Sequence, residues 1–120
     1  MELLLLTLLL AKHTVMDYFM QKQFMFKDKH VYGGVGGVAH ATFHALGAAI
    51  VLMWFNPLWA LPIALLDGIT HYHIDYCKSK WMAKYQPTHD DPRFWWAFGI
   101  DQFAHFLTYV IMTVLVLGLW

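Results

Sequence analysis

This chain of 120 residues is 59% hydrophobic, 18% aromatic and only 13% charged, whereas roughly a quarter of the residues in soluble domains are charged. That composition excludes a disordered chain, and it leaves too few polar side chains to cover a soluble domain of this size. The formal net charge is zero, which gives no electrostatic reason to expect nucleic acid as a partner. We therefore predict an integral membrane protein.

Four helices of about 20 residues, the length that crosses a bilayer, account for almost the whole chain. The first lacks the basic region and cleavage site of a secretory signal and is expected to be retained. Asn56-Pro57 is a cap and first turn that starts the third helix directly after the second. The helices are predicted over 2–20, 34–55, 57–85 and 93–120, with loops over 21–33 and 86–92. The prediction is an all-α fold, a four-helix transmembrane bundle in antiparallel up-down-up-down order, as a single domain over 1–120.

Basic residues predict how the bundle is oriented. Seven of the eight lie in or beside the first and last loops, and none lies between the second and third helices. By the positive-inside rule, loops 21–33 and 86–92 face the cytoplasm at a bacterial inner membrane, with both termini on the opposite side. The tryptophans fall into two matching interfacial groups. One group is Trp54, Trp59 and Trp120, and the other is Trp81, Trp95 and Trp96.

Small residues in the second helix predict close packing against its neighbours. They are Gly33, Gly34, Gly36, Gly37 and Gly47. Residues 34–39 match G-x-G-x-x-A, but no βαβ unit precedes them, so no nucleotide is expected. Cys77 is the only cysteine, which excludes an intrachain disulfide and a thiolate zinc site, and we expect its thiol to be buried.

Each predicted helix carries acidic or imidazole side chains four residues apart, a spacing that places them on one face. The sets are His13/Asp17, His40/His44, Asp67/His71/Asp75 and Asp101/His105. In the third helix the stripe continues to Lys78, whereas His73 points to another side and is expected to pack or lie at the interface. His89 is expected to be a solvated loop residue.

The four sets also converge in depth. At about 1.5 Å per residue, His13 and His40 lie roughly 12 and 9 Å from the basic side of a hydrocarbon core about 30 Å thick. His71 and Asp101 lie at roughly 9 and 12 Å, although the chain reverses three times. Unrelated polar pairs have no reason to meet at one level, so we predict a single polar site.

Ionisable groups at this depth are costly and normally face the bundle interior, where they are paired or functional. Lys12 and Lys78 would offset two of the four aspartates, and one or two divalent metal ions would offset the rest. Zinc is favoured, with manganese or iron as alternatives, because the set combines imidazole with carboxylate. The predicted ligands are His13, Asp17, His40, His44, Asp67, His71, Asp75, Asp101 and His105. A proton or ion pathway and a purely structural polar network are the alternatives.

These residues resemble an uncharacterised family of small four-helix membrane proteins found in bacteria and their phages. The matching segments are His13-x3-Asp17-Tyr18-x2-Gln21, His40-x3-His44, His71-x2-Ile74-Asp75-x2-Lys78 and Phe98-x2-Asp101-Gln102-x2-His105. The resemblance spans nearly the whole chain and implies the fold and a shared polar site, without a settled activity. More distantly, the pattern is similar to membrane-bound proteins predicted to be metal-dependent hydrolases and to helical zinc phospholipases.

The resulting hypothesis is a metal-dependent hydrolase of a phosphoester in a lipid or lipid-linked substrate, with membrane lipids as partners. The predicted catalytic residues are Asp17, Asp75, Asp101 and Lys78. We expect Lys12 and Gln102 to contact either the metal ligands or the substrate. A dimetal redox protein is one rival, although such four-helix sites use glutamates and Glu-x-x-His spacing. The rival that is not an enzyme is a channel, a proton relay or a phage protein that acts on the host envelope.

Overall fold

The fold is taken from a computed structural model, which describes residues 1–118. Within that range the chain forms five α-helices and no strand, so the all-α prediction is confirmed. The helices are α1 (Glu2–Thr14), α2 (Gln23–Lys27), α3 (Val35–Met53), α4 (Pro57–Tyr85) and α5 (Pro92–Leu117). The last two residues of the predicted fourth helix, including Trp120, lie outside the described residues.

A short helix, α2, lies within the segment 21–33, so the prediction of a loop throughout this segment is wrong. The centre of α2 is apolar, and Met25 is only 3% exposed. Asp28 follows α2, and its carboxylate accepts hydrogen bonds from the backbone N–H groups of Gly36 and Gly37, both at 3.0 Å. These bonds satisfy free donors in the first turn of α3. Apolar burial and capping therefore hold this segment against α3.

Two glycines let α3 approach its neighbours closely. A Cβ on Gly36 would lie 2.0 Å from the carbonyl oxygen of Phe24 in α2, and one on Gly47 would lie 2.8 Å from Met16 Cε. Gly33 has a different role, because its φ is +82° and nothing lies within 4 Å of its Cβ position. It forms the turn before α3, where glycine adopts a positive φ without strain.

The first long helix does not stop at Thr14 but continues as a π-helical turn over Val15–Phe19. The backbone N–H of Met20 donates to the carbonyl oxygen of Val15 at 3.0 Å. Such turns are rare and recur at functional sites. This one carries Asp17, whose side chain is 15% exposed and faces the histidines of α3.

The four long helices form a closed ring, in which α1 and α4 each contact both α3 and α5. The apolar core joins the start of α1, the end of α3, the start of α4 and the end of α5, so successive long helices alternate in direction. Its buried members are Leu5, Leu9, Ala48, Leu52, Ala60, Ile63, Ala64, Tyr109, Met112 and Val116. This core fills one half of the ring and leaves the other half to polar side chains.

The outward faces of the long helices are apolar as well. Leu3, Ile50, Leu58 and Ile100 are between 67% and 81% exposed. By length and hydropathy, α3 and α5 are each able to cross a membrane, both with a mean hydropathy of 1.6. Helix α4 is longer, with 29 residues, but its two aspartates and three lysines make it less apolar.

Cys77 is exposed, so the prediction of a buried thiol is wrong. The inward stripe of α4 passes through Asp67, His71 and Asp75, which are all buried. Position 77 lies about 200° around the helix from Asp75, and its side chain therefore faces outward.

Replacing Gly36 by alanine tests the close contact between α2 and α3. The added methyl group meets a backbone oxygen, so we expect Gly36→Ala to lower the free energy of unfolding by about 1–3 kcal/mol. Gly99→Ala is the matched control, because nothing lies within 4 Å of its Cβ position in α5. It is expected to be neutral or to stabilise the protein by up to about 1 kcal/mol. Thermal unfolding in detergent micelles measures both, and wild-type stability of Gly36→Ala would contradict the contact.

Candidate functional site

The polar half of the ring gathers side chains from the π-helical turn and from all four long helices. Its centre consists of five imidazole rings, each no more than 1% exposed. They belong to His13, His40, His44, His71 and His105. In every ring it is Nε2 that faces the carboxylates of Asp17, Asp75 or Asp101. Five imidazoles and three carboxylates therefore share one buried volume.

Asp17, His40, His44 and His71 form the tightest group. Asp17 Oδ1 lies 3.0 Å from His40 Nε2, 2.9 Å from His44 Nε2 and 3.7 Å from His71 Nε2. The Nε2 atoms of His40 and His71 are 3.2 Å apart. In a tetrahedral site with zinc bonds of about 2.1 Å, neighbouring ligand atoms lie about 3.4 Å apart. The separations in this group lie on both sides of that value, so the group could hold a metal ion.

Asp75, Asp101 and His105 form a second group beside the first. His105 Nε2 lies 3.2 Å from Asp75 Oδ1 and 3.6 Å from Asp101 Oδ1. Asp75 Oδ2 in turn lies 3.5 Å from His71 Nε2 and 3.6 Å from His40 Nε2. Asp75 therefore joins the two groups, with one carboxylate oxygen toward each.

Asp101 has a buried oxygen without a partner. Its Oδ2 accepts hydrogen bonds from Lys78 Nζ at 2.9 Å and from Gln102 Nε2 at 3.0 Å. Its Oδ1 has no hydrogen-bond partner among the described residues. An unpaired buried carboxylate oxygen is costly, so a hydrogen-bond donor or a cation at Oδ1 would be stabilising.

His13 closes the cluster on the side of α1. Its Nε2 lies 3.2 Å from both Asp17 Oδ2 and Gln102 Oε1. Its Nδ1 lies 2.9 Å from the Tyr109 hydroxyl. Both ring nitrogens of His13 are thus engaged, which fixes the orientation of the ring.

Three of the four aspartates have a lysine partner. The pairs are Lys12–Asp67 at 2.6 Å, Lys29–Asp75 at 2.6 Å and Lys78–Asp101 at 2.9 Å. Asp17 has only imidazole partners among the described residues. With the histidines counted as neutral, four carboxylates and three ammonium groups leave one negative charge, and it belongs to Asp17.

Asp67 is the one predicted ligand that the structure keeps apart from the others. It is 1% exposed and bonds Lys12, whose Nζ also lies 3.3 Å from His44 Nδ1 and 3.2 Å from the Tyr109 hydroxyl. Because an ammonium only donates, His44 Nδ1 accepts from Lys12, and His44 Nε2 then carries the proton and donates to Asp17 Oδ1. The other eight predicted ligands all belong to groups that could hold a metal ion, because His13 forms a third such group with His71 and His105.

Sequence reasoning missed two residues of the site. Lys29 was interpreted only as a loop cation, but its side chain is 10% exposed and its ammonium contacts both Asp75 and Gln21 Oε1, the latter at 2.5 Å. No helical spacing links it to the cluster. Tyr109 is fully buried. Its position could have been predicted, because Tyr109 continues the spacing of four residues from Asp101 and His105.

The three remaining histidines lie outside the cluster. His30 and His89 are exposed residues of the first and last connections. His73 is exposed on α4, with its Nε2 at 3.0 Å from the Tyr32 hydroxyl. The spacing of four therefore separates the clustered histidines from the others.

Two cavities reach the cluster from outside. The larger, of about 650 Å³, lies between α4 and α5, and Lys78 and Asp101 contribute to its lining. The smaller, of about 190 Å³, is lined by His40 and by residues of the π-helical turn and α2. Asp101 and His40 therefore each border a cavity beside the cluster.

The model of a protein family of unknown function, DUF3307, matches residues 5–119. No curated protein and no solved structure matches the chain. The family match covers every residue of the cluster but supplies no activity, so the function has to be argued from the geometry.

Removing Lys29 tests the ion pair that draws the first connection into the site. Lys29→Ala leaves the buried carboxylate of Asp75 without its ammonium, so we expect the free energy of unfolding to fall by about 3 kcal/mol. Lys27→Ala is the matched control, because Lys27 is exposed in the same segment, and it is expected to change stability by less than about 0.5 kcal/mol. Thermal unfolding of zinc-depleted protein measures both.

The charge explanation also predicts coupling between the two partners. Asp75→Asn is expected to restore most of the stability that Lys29→Ala removes, because no unpaired charge is then left buried. Losses that simply add in the double variant would contradict the ion pair.

Proposed function

We propose that this chain, which belongs to the DUF3307 family of proteins of unknown function, is a membrane metalloenzyme that hydrolyses a phosphoester of a lipid or lipid-linked substrate. The observation that carries the proposal is the group formed by Asp17, His40, His44 and His71. Their ligand atoms all lie within 4.8 Å of one another inside an apolar ring of helices. Zinc is the proposed ion, since three imidazoles and one carboxylate suit it.

The charge balance favours one metal ion over two. With Lys12 on Asp67, Lys29 on Asp75 and Lys78 on Asp101, Asp17 is the one aspartate of these four that has no lysine partner among the described residues. One divalent ion beside Asp17 changes the charge of the cluster from −1 to +1. A net positive site suits an anionic phosphoester. A second ion at Asp75, Asp101 and His105 would add two positive charges beside the ammonium groups of Lys29 and Lys78.

The second group supplies the remaining chemistry. A zinc ion held by the four residues of the first group would act as a Lewis acid. To polarise the phosphoryl oxygen or lower the pKa of the attacking water, it would have to accept a further ligand beyond them. Asp101 Oδ1, which lacks a partner, accepts the proton of that water as its oxygen bonds to phosphorus. The bond from phosphorus to the leaving oxygen breaks, and the proton passes from Asp101 to that oxygen. Lys78 balances the charge of the phosphate.

We further propose that all four long helices span the membrane. Their outward faces are apolar, and the long axis of the molecule, 42 Å, is close to the thickness of about 40–45 Å of a bilayer with its headgroups. Trp54 and Trp59 flank one end, and Trp95 and Trp96 flank the other, all at least 48% exposed. The charges of α4 that would oppose insertion include Asp67 and Asp75, which are buried inside the ring.

Exposed cations support a cytoplasmic location for the two loops 21–33 and 86–92 at a bacterial inner membrane. Lys29 and Lys78 turn toward the site and do not contribute to this signal. The exposed cations at this end are Lys22, Lys27, Lys80, Lys84 and Arg93. The site then lies nearer the cytoplasmic leaflet than the opposite one.

The rival functions fit this geometry less well. A proton or ion pathway needs a polar route through the whole bundle, but the half beyond the cluster is filled by the apolar core, including Leu5, Leu9 and Leu52, each 0% exposed. A dimetal redox centre of the usual four-helix kind needs glutamates. The only glutamate, Glu2, pairs with the N-terminus outside the cluster.

Zinc content tests the metal site. We expect one zinc ion per purified chain, and we expect His71→Ala to weaken zinc binding by at least about 100-fold, because one of three imidazole ligands is lost. His73→Ala is the matched control, two residues along the same helix but exposed, and it should retain zinc. Elemental analysis after dialysis against buffered zinc measures all three. Wild-type protein without zinc after this treatment would refute the site.

Phosphate release from lipid vesicles tests the reaction. Asp101→Asn removes the proposed base but not a proposed zinc ligand, so kcat should fall by about 10²–10⁴-fold while the zinc content is unchanged. Asp90→Asn, in the exposed last loop, should leave kcat unaltered. A proton flux in proteoliposomes that needs no metal and disappears in Asp101→Asn would instead favour the ion pathway over the hydrolase.

A further inference from the structure

A groove runs between α4 and α5 and opens on the outer face of the ring. Its volume of about 650 Å³ falls within the range of about 300–1,000 Å³ that is usual for small-molecule sites. The lining is mostly apolar and includes Ile74, Trp81, Trp96 and Ile100. The groove is continuous with the buried cluster, because Asp101 belongs to both.

The antiparallel course of the two helices fixes where each lining residue lies along the groove. Ile74 and Ala104 line the end nearer the middle of the bundle, and Trp81 and Arg93 line the end at the last loop. Asp101 lies between them, at about 4.5 Å along the helix axis from Ala104 and about 12 Å from Arg93. The polar part of the groove, at Asp101, therefore lies between two stretches of the groove that are lined mostly by apolar side chains.

Lys78 supplies a positive charge at this polar part. Its side chain is 27% exposed, and its ammonium donates to Asp101 Oδ2. An ammonium group has three donors, and among the described residues only this one hydrogen bond is formed. Two donors of Lys78 are thus available to a ligand, next to the unpaired Oδ1 of Asp101.

We propose that this groove binds one hydrocarbon chain of a long-chain lipid phosphate, with the phosphate at Lys78 and the chain toward Ile74 and Ala104. The apolar lining matches the chain, and the free ammonium donors match the anionic phosphate. Arg93 lies at the loop end of the groove, where its guanidinium pairs with Asp91. The identification of this lipid as the substrate rests on the proposed function, whereas its binding does not.

Photocrosslinking in nanodiscs tests the binding site. The nanodiscs consist of phosphatidylcholine with a small fraction of phosphatidic acid that carries a diazirine in the middle of one chain. We expect crosslinks to concentrate on the parts of α4 and α5 that include Ile74 and Ala104. Crosslinks spread evenly over the outward faces of the four long helices would overturn the proposal.

Filling the groove provides the matched pair of variants. Ala104→Phe places a ring inside the groove and should abolish the concentrated labelling. Leu107→Phe adds a ring to the outward face of the same helix, where Leu107 is 47% exposed, and should preserve it. Ala97→Phe blocks the groove nearer the loop and replaces Ala104→Phe if that variant does not fold. Unchanged labelling in a folded groove variant would overturn the proposal.

Lys78→Gln tests the recognition of phosphate. It should reduce the preference for the phosphatidic acid probe over a diacylglycerol probe with the same chains by about tenfold. An unchanged preference would overturn the role of Lys78. The crosslinking is repeated with zinc-depleted protein, so that the two proposals can fail separately. If the wild type is labelled in the groove but binds no zinc, only the proposed metalloenzyme is refuted. If it binds zinc but is labelled evenly over its outward faces, only the proposed lipid site in the groove is refuted.

Discussion

Carboxylates enclosed in an apolar ring of helices are the constraint on which the rest of this structure depends. Asp67, Asp75 and Asp101 are no more than 5% exposed, and a charge in such surroundings has to be paired. Lysines from α1, α4 and the segment before α3 form ion pairs with these three carboxylates. Asp17 is left to the imidazoles, and this group of one carboxylate and three imidazoles could hold a metal ion.

Several unusual local features serve this arrangement. The π-helical turn carries Asp17 beyond the end of α1 and into contact with α3. Gly36 allows α2 to lie against α3, and the segment after α2 then delivers Lys29 to Asp75. The apolar core closes the opposite half of the ring, so the polar residues form a site that opens toward one end. The apolar core and the polar cluster thus occupy different halves of the same four helices.

The sequence predicted the part of the site that depends on helical periodicity. A spacing of four identifies the inward faces, and the alternating directions of the helices bring His13, His40, His71 and Asp101 to one level. The same spacing does not distinguish Asp67 from Asp75, although eight residues separate them by about 12 Å along the axis. That distance is too long for one metal site, and Asp67 pairs with Lys12 instead.

The parts that the sequence did not predict depend on contacts between segments without a shared period. Lys29 reaches Asp75 because a short helix and the Asp28 cap fold its segment back, and neither feature has a periodic signal. The hydropathy of α4 is lowered by the residues that form the site. For this reason composition indicates a membrane protein for the chain as a whole, while among the helices that the structure describes only α3 and α5 qualify individually as spans.

Zinc-edge X-ray absorption of the purified protein tests the central claim most directly. The account predicts four nitrogen or oxygen ligands at about 2.0–2.1 Å, with the outer-shell scattering of three imidazole rings. A sulfur ligand at about 2.3 Å would place the ion at Cys77 on the outer face. A protein that takes up no zinc would give no zinc absorption edge. Either result would contradict a metal centre at Asp17, His40, His44 and His71.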